Sequence, residues 1–239
     1  MRLQRRSSAW LVALTLLALA AVGCSSLIGI EDATCDPTVS GCPPAPDKKL
    51  RSALCQQYCG TVMNACTGTN EAYVSMDACL GVCSFLPEGE PGVVDNSVQC
   101  RLEVAQLAAG SPEKESYCPS AGPSGDGPSE ESDCTGPVGG SNDPCASLCS
   151  ILMPACARFP QYSSVEECET RCRGEVEESP SDEHYTSSSL VDPLPDRGNN
   201  LSCRLWHVSV AATGPNDARV AGLHCPHAAG GAPCVTQQP

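Results

Sequence analysis

Three of the four histidines lie near the carboxyl end of the chain, two of them flanking a cysteine. They are His207, His224 and His227, and Cys225 lies between the last two. Neutral imidazole is a ligand that zinc and copper favour. The sequence therefore raises the hypothesis of a copper or zinc site formed by these three residues. The alternative is that they are polar surface residues beside a disulfide.

The nineteen cysteines are the other reactive residues of the chain, and they fall into four groups. Cys24 ends an apolar leader, whereas Cys35 and Cys42 lie close enough in sequence to close a small loop. The rest form two similar sets: Cys55, Cys59, Cys66, Cys79, Cys83, Cys100, Cys118 and Cys134, then Cys145, Cys149, Cys156, Cys168, Cys172, Cys203, Cys225 and Cys234. Metal sites formed by cysteine knuckles favour the spacing Cys-x2-Cys, whereas these sets have Cys-x3-Cys. Without Cys24 the number of cysteines is even, so all of them can pair. We therefore expect structural disulfides.

The two sets of cysteines belong to an internal repeat. The shared elements outside the Cys-x3-Cys pairs are Cys100-Arg101-Leu102 with Cys203-Arg204-Leu205, and Cys118-Pro119 with Cys225-Pro226. We assign a first module to residues 47–134 and a second to residues 135–239. The residues that correspond to the three histidines in the first module are Val104, Tyr117 and Ser120. The repeated scaffold therefore needs no imidazole in order to fold.

The Cys-x3-Cys spacing predicts helices, because residues i and i+4 lie on one helical face. Two antiparallel helices that each carry such a pair can be cross-linked twice, the first cysteine of one with the last of the other. The predicted pairs are Cys55–Cys83, Cys59–Cys79, Cys145–Cys172 and Cys149–Cys168. The arrangement resembles the helical hairpins stapled by twin Cys-x3-Cys motifs in alpha-hairpinins and in twin-CX3C intermembrane-space proteins. That resemblance implies a geometry and no function.

A third helix is predicted over residues 98–109, with a counterpart over residues 201–212, because each has a partly apolar face. The predicted fold class is mainly α, with two tandem disulfide-stapled small helical modules, each a helical hairpin plus a third helix, and with long loops. Spacing does not choose among the pairings of the four later cysteines of each module. The pairs we predict there are Cys66–Cys100, Cys118–Cys134, Cys156–Cys203 and Cys225–Cys234.

Large apolar side chains are scarce, and aromatic residues make up only 4% of the chain. Each module can therefore bury little apolar area, and disulfides worth about 2–4 kcal/mol each would have to hold it together. Residues 119–133 and 174–200 are rich in Gly, Pro, Ser and acids and show no periodicity. We expect both segments to be exposed and mobile.

Residues 1–23 have the features of a bacterial export signal, with three arginines before an apolar run over residues 9–22. That run is shorter than the roughly 20 apolar residues of a membrane-spanning helix. It ends in Ala21-Val22-Gly23-Cys24, which resembles the lipobox of bacterial lipoproteins. The resemblance implies that the chain is cleaved before Cys24, that this cysteine is acylated, and that residues 24–46 form a tether. Ser25, in place of an aspartate, implies the outer membrane.

Charge and motifs exclude several function classes. The formal net charge is −14, and loss of the arginines of the leader would make it more negative. A surface this acidic repels phosphate backbones, so we expect no nucleic acid partner. The sequence has no nucleophile elbow, zinc-protease motif, phosphate-binding loop or dinucleotide fingerprint, and we expect no enzyme activity.

Two function classes remain. The first is a non-enzymatic, lipid-anchored protein whose modules bind an envelope or extracellular protein or glycan, or act as structural units. The second is a metal-handling or electron-transfer lipoprotein that uses His207, His224 and His227. We prefer the first, because every strongly repeated residue already has a structural explanation. The whole pattern resembles cysteine-rich lipoproteins of myxobacterial type, and this resemblance supplies no catalytic residues.

Overall fold

The computed structural model describes residues 52–127, 133–135, 143–175, 185, 187 and 196–235, and every regular element in these ranges is helical. The helices of the first module are α1 (Ala53–Ala65), α2 (Met76–Phe85), α3 (Val98–Gly110) and α4 (Cys118–Ala121). Those of the second are α5 (Pro144–Ala155), α6 (Val165–Glu175), α7 (Leu201–Ala211) and α8 (Ala221–Ala228). Short 3-10 turns occupy Gly68–Asn70 and Lys114–Ser116. The mainly α fold class is confirmed, and each module adds a short fourth helix that the sequence did not predict.

Side-chain caps explain where the helices begin. The Ser52 hydroxyl accepts a hydrogen bond from the Cys55 amide at 3.0 Å, and the Ser75 hydroxyl accepts one from the Ala78 amide at 3.1 Å. Such caps satisfy amides that have no partner inside the helix. The third helices begin in the same way in both modules, capped by Ser97 and by Asn200.

The four hairpin disulfides predicted from the Cys-x3-Cys spacing are confirmed. Cys55–Cys83 and Cys59–Cys79 join α1 to α2, with Cα atoms 5.8 and 5.7 Å apart. Cys145–Cys172 and Cys149–Cys168 join α5 to α6 in the same way. Two neighbouring cross-links on one helical face fix both the separation and the register of the hairpin.

The pairs predicted for the later cysteines are wrong. In place of Cys66–Cys100, Cys118–Cys134, Cys156–Cys203 and Cys225–Cys234, the structure has Cys66–Cys118, Cys100–Cys134, Cys156–Cys225 and Cys203–Cys234. The reason is the fourth helix of each module. The cysteine that caps the end of the first helix pairs with the cysteine of the fourth helix, which leaves the cysteine in the third helix to pair with the last cysteine of its module.

The two modules share one hydrophobic core within one compact unit. Helix α2 of the first module packs against α5 and α7 of the second. Gly81 allows the closest approach, since a Cβ atom there would lie 2.4 Å from the carbonyl oxygen of Ala212. Asn96 donates a hydrogen bond to the Ser150 hydroxyl at 3.1 Å across the same boundary. The described parts of the modules therefore pack as one body.

Both segments expected to be exposed contain buried residues. Residues 118–125 are all buried, although most of them are small or polar. Within the insertion of the second module, Tyr185 and Ser187 are also buried, and the Ser187 amide donates to the Glu71 carbonyl at 2.6 Å. The expectation of exposure is wrong at these positions. After α4, backbone carbonyls accept hydrogen bonds from Tyr58 and Arg101, and in the insertion Ser187 donates to the Glu71 carbonyl.

Several features of the sequence lie outside the described residues. These are the leader, the lipobox with Cys24, and the tether with Cys35 and Cys42. Among the described helices, none is long and apolar enough to cross a bilayer.

Candidate metal centre

The third and fourth helices of the second module bring the three histidines together. His207 lies in α7, four residues after Cys203, and His224 and His227 lie in α8 on either side of Cys225. The disulfides Cys156–Cys225 and Cys203–Cys234 hold these two helices in place. The site is thus built on regular, cross-linked backbone rather than on a loop.

The closest contact in this cluster is between two ring nitrogens. His207 Nδ1 lies 2.7 Å from His224 Nδ1, and His207 Nε2 lies 3.2 Å from the backbone carbonyl oxygen of Asp196. A carbonyl can only accept, so the proton of a neutral His207 ring is on Nε2. Its Nδ1 therefore carries the lone pair, and this lone pair is directed at His224.

His227 completes a triangle with the other two rings. Its ring centroid lies 4.6 Å from that of His207 and 6.0 Å from that of His224. One nitrogen from each of the three rings lies within 4.8 Å of the others. His227 Nδ1 is buried and has no hydrogen-bond partner among the described residues. Since buried polar atoms are nearly always paired, this nitrogen points to a partner of another kind.

Burial and mutual repulsion hold the three imidazoles in their neutral form. Burial, followed by the nearby His224 and His227, lowers the pKa of His207 from 6.5 to about 4. Burial lowers the pKa of His224, with a further contribution from His227, and burial alone lowers the pKa of His227. All three rings are therefore uncharged at neutral pH, which is the state that binds a metal ion.

The arrangement suits a copper or zinc ion bound by three imidazoles. A backbone carbonyl that holds the second nitrogen of a ring is the usual support of a histidine ligand, and Asp196 supplies it for His207. Ligands on one tetrahedral zinc have nitrogens about 3.3 Å apart, given bonds of about 2.0 Å. Entry of the ion must therefore break the hydrogen bond between His207 and His224 and separate the two nitrogens by about half an ångström.

Sulfur does not contribute to this donor set. The sulfur atoms of Cys203 and Cys234 also lie within 4.8 Å of a His207 nitrogen, but they are bonded to each other. A disulfide offers no thiolate, and the thiolate is the form of cysteine that binds metals. Trp206 lies beside the site, its ring centroid 4.9 Å from that of His207, so its fluorescence can report on the site.

The first module shows what the scaffold does without imidazoles. The position of His207 in α7 corresponds to the buried Val104 of α3. The position of His227 in α8 corresponds to the buried Ser120 of α4. The structure therefore brings together all three residues singled out in the sequence, on positions that the other module fills with ordinary side chains. Metal binding itself stays a prediction.

Sequence reasoning missed the arginine of each Cys-Arg-Leu element, although the repeat of the motif was visible. Arg101 and Arg204 are the two largest fully buried side chains among the described residues. Arg101 donates from Nε to the Gly122 carbonyl at 2.9 Å and from Nη1 to the Ser97 carbonyl at 3.2 Å. Its Nη2 lies 3.4 Å from the Pro123 carbonyl oxygen. Arg101 thus organises the segment that follows α4.

The lowered pKa of His207 predicts a loss of stability on acidification. An unfolded histidine takes up a proton near pH 6.5, whereas folded His207 does so only near pH 4, so falling pH favours unfolding between these values. We expect His207→Val, which introduces the residue of the first module, to reduce this loss by about 1–2 kcal/mol. Urea titrations across that pH range, with a chelator present, measure the difference. Equal pH dependence of the two proteins would contradict it.

Comparison with models of protein families gives a match that covers the first module. Residues 37–135 are similar to the C-terminal domain of the BfoA family. The matched range covers the first module and ends at residue 135, so it does not include the three histidines. No curated protein and no solved structure matches the chain.

Proposed function

We propose that this cysteine-rich, disulfide-stabilised helical protein is a non-enzymatic metal-binding lipoprotein of the cell envelope. In this proposal His207, His224 and His227 bind one Cu(II) or Zn(II) ion. The observation that carries it is the pair of Nδ1 atoms 2.7 Å apart, one of them fixed as an acceptor by the Asp196 carbonyl. This pair is joined by a hydrogen bond, and together with a His227 nitrogen within 4.8 Å it supplies the three nitrogen ligands of the proposed site.

Burial argues against the alternative of polar surface residues. His207 is only 4% exposed, and it lies against two further imidazoles. Placing neutral polar rings in a core costs free energy unless they are paired, and the first module fills the same positions without them. A metal ion would bind one nitrogen of each of the three rings at once.

The metal part of the proposal is tested by titrating the oxidised protein with CuCl2 and with ZnCl2. We expect saturable one-to-one binding by calorimetry, together with quenching of Trp206 fluorescence by Cu(II). Copper is expected to bind more tightly than zinc, in keeping with the order of affinities of divalent ions for nitrogen ligands. The absence of saturable binding of either ion would contradict the proposal.

Variants locate the site. His207→Val and His227→Ser introduce the residues of the first module, and each is expected to weaken copper binding by at least about tenfold. Leu223→Ser is the matched control, because Leu223 lies in α8 next to His224 but is 53% exposed. Equal affinities of the three variants and the unaltered protein would show that copper binds elsewhere.

Anchoring to the outer membrane through an acylated Cys24 is the second part of the proposal, supported by the lipobox-like Ala21-Val22-Gly23-Cys24. Native mass spectrometry of the mature protein tests both parts, because acyl chains and a metal ion add different masses. A mature chain that retains residues before Cys24, or one without acyl mass, would contradict the anchor.

A binding or structural role in the envelope is the second candidate function. The observation that favours it is the core shared by both modules, together with eight described disulfides, which makes a rigid interaction unit. An envelope or extracellular protein or glycan would be its partner. If the titrations show no metal binding, this candidate takes precedence.

A further inference from the structure

A pocket opens on the second module beside α6, the start of α7 and the end of α8. Its volume is about 720 Å³. The residues of its wall that matter here are Tyr162, Arg171, Glu175, Arg204, Pro226 and Val235. Among the residues that the structure describes, no histidine lines the pocket, so it is distinct from the metal centre. Its volume lies in the range of sites for small organic molecules, and it is widely open to solvent.

The unusual group in this pocket is the guanidinium of Arg204. Arg204 is 1% exposed, and its Nε and Nη1 have no acceptor among the described residues. Only Nη2 has polar neighbours, Asn199 Oδ1 and Glu175 Oε2, both at 3.5 Å. A buried arginine whose donors are largely unfilled is costly, and the cost points to an acceptor supplied by a ligand.

The first module shows that the scaffold can satisfy this arginine completely. There the carbonyl of Gly122 accepts from Nε of Arg101. The corresponding carbonyl of the second module, that of Ala229, accepts from the Tyr162 hydroxyl instead, at 3.0 Å. The second module has thus lost the acceptor of its arginine and gained a pocket at the same place.

The pocket also leaves room for the guanidinium at its wall. Gly230 has a φ of +94°, and a Cβ atom there would lie 2.5 Å from Arg204 Nη2. Any other residue would therefore push the guanidinium away. Arg171, which is exposed at the rim, adds a second positive charge and is bound to Glu175 at 2.9 Å.

We propose that this pocket binds the carboxylate of a small organic acid with an apolar body. The carboxylate would accept from the unpaired Nε and from Nη2 of Arg204, which lie on one edge of the guanidinium, with support from Arg171, as planar carboxylates do from arginine. The carbon body would lie against Pro226, Ala229 and Val235. Glu175 and the net charge of −14 disfavour a ligand with two negative charges, such as phosphate.

The test uses sodium hexanoate as the probe and hexanamide, its uncharged analogue, as the ligand control. We expect saturable binding of hexanoate to the oxidised protein by calorimetry, with a rise in the melting temperature. Hexanamide is expected to bind at least about tenfold more weakly, because it lacks the charge that Arg204 would bind. Equal binding of the two ligands, or of neither, would overturn the proposal.

Two variants place the ligand. Arg204→Gln is expected to weaken hexanoate binding by at least about tenfold, and Arg171→Gln by about two- to fivefold. Arg171 is exposed, so its variant tests the pocket even if Arg204→Gln fails to fold. Arg219→Gln, the same charge change at an exposed site outside the pocket, is the control and is expected to bind normally. Binding that is lowered equally in Arg171→Gln and Arg219→Gln would reflect net charge alone and would overturn the proposal.

Discussion

Replacing Arg101 with methionine is expected to lower the free energy of unfolding by about 3–5 kcal/mol, whereas Arg204→Met is expected to cost less than about 1 kcal/mol. The two residues occupy equivalent positions in the two modules and are almost equally buried. The difference therefore isolates the contribution of the hydrogen bonds around each guanidinium.

The large effect at Arg101 follows from the acceptors it would leave behind. Its guanidinium nitrogens face the carbonyl oxygens of Ser97, Gly122 and Pro123, and methionine offers them no donor. Each lost hydrogen bond from a charged donor costs about 1.5–3 kcal/mol. The carbonyls of Ser97 and Gly122 would keep only their backbone amide donors. At Arg204 the same change removes a buried cation whose Nε and Nη1 are already unpaired, and methionine fills a similar volume.

Urea denaturation of the three oxidised proteins measures both changes. Equal destabilisation by the two substitutions would show that both arginines act mainly through packing. A larger effect at Arg204 would contradict the hydrogen-bond account.

Removing the disulfide Cys156–Cys225 by double alanine substitution is expected to lower stability by about 4 kcal/mol and to weaken copper binding. This cross-link closes a chain separation of 69 residues, the longest among the described disulfides. Longer closed loops restrict the unfolded chain more strongly. Because Cys225 lies between His224 and His227 in α8, the same cross-link also positions two of the three proposed ligands.

The control is the double alanine variant of Cys149–Cys168, which also joins α5 to another helix but closes only 19 residues. It is expected to cost about 3 kcal/mol and to leave copper affinity within about twofold, because it does not hold α8. Calorimetry and urea titrations give both quantities. Equal loss of copper affinity in the two variants would mean that general loosening, not the position of α8, governs the site.

Local spacing was enough to predict the helical hairpins. In each Cys-x3-Cys pair the two cysteines lie one helical turn apart, so helix geometry alone places their sulfurs on one face. The caps at Ser52 and Ser75 are equally local, since the hydroxyl binds an amide only three residues ahead. These interactions depend on short stretches of chain, and short stretches can be interpreted from sequence.

The later disulfides could not be predicted in this way. Cys66 and Cys118 are 52 residues apart, and their meeting depends on how α4 folds back onto the end of α1. The burial of residues 118–125 has the same origin, because the carbonyls of that segment bind Arg101. A composition of small and polar residues favours a loop, and only the arginine in another helix makes that loop part of the core.

The sequence by itself determined the helical repeat, the hairpin cross-links and the three histidines that distinguish the second module from the first. The tertiary structure alone decided that His207 meets His224 and His227, and that Arg101 is satisfied while Arg204 faces a pocket. The physical reason is the distance along the chain over which each interaction acts. Helix periodicity and caps act over a few residues, whereas convergence of side chains from separate helices depends on the packing of the whole unit.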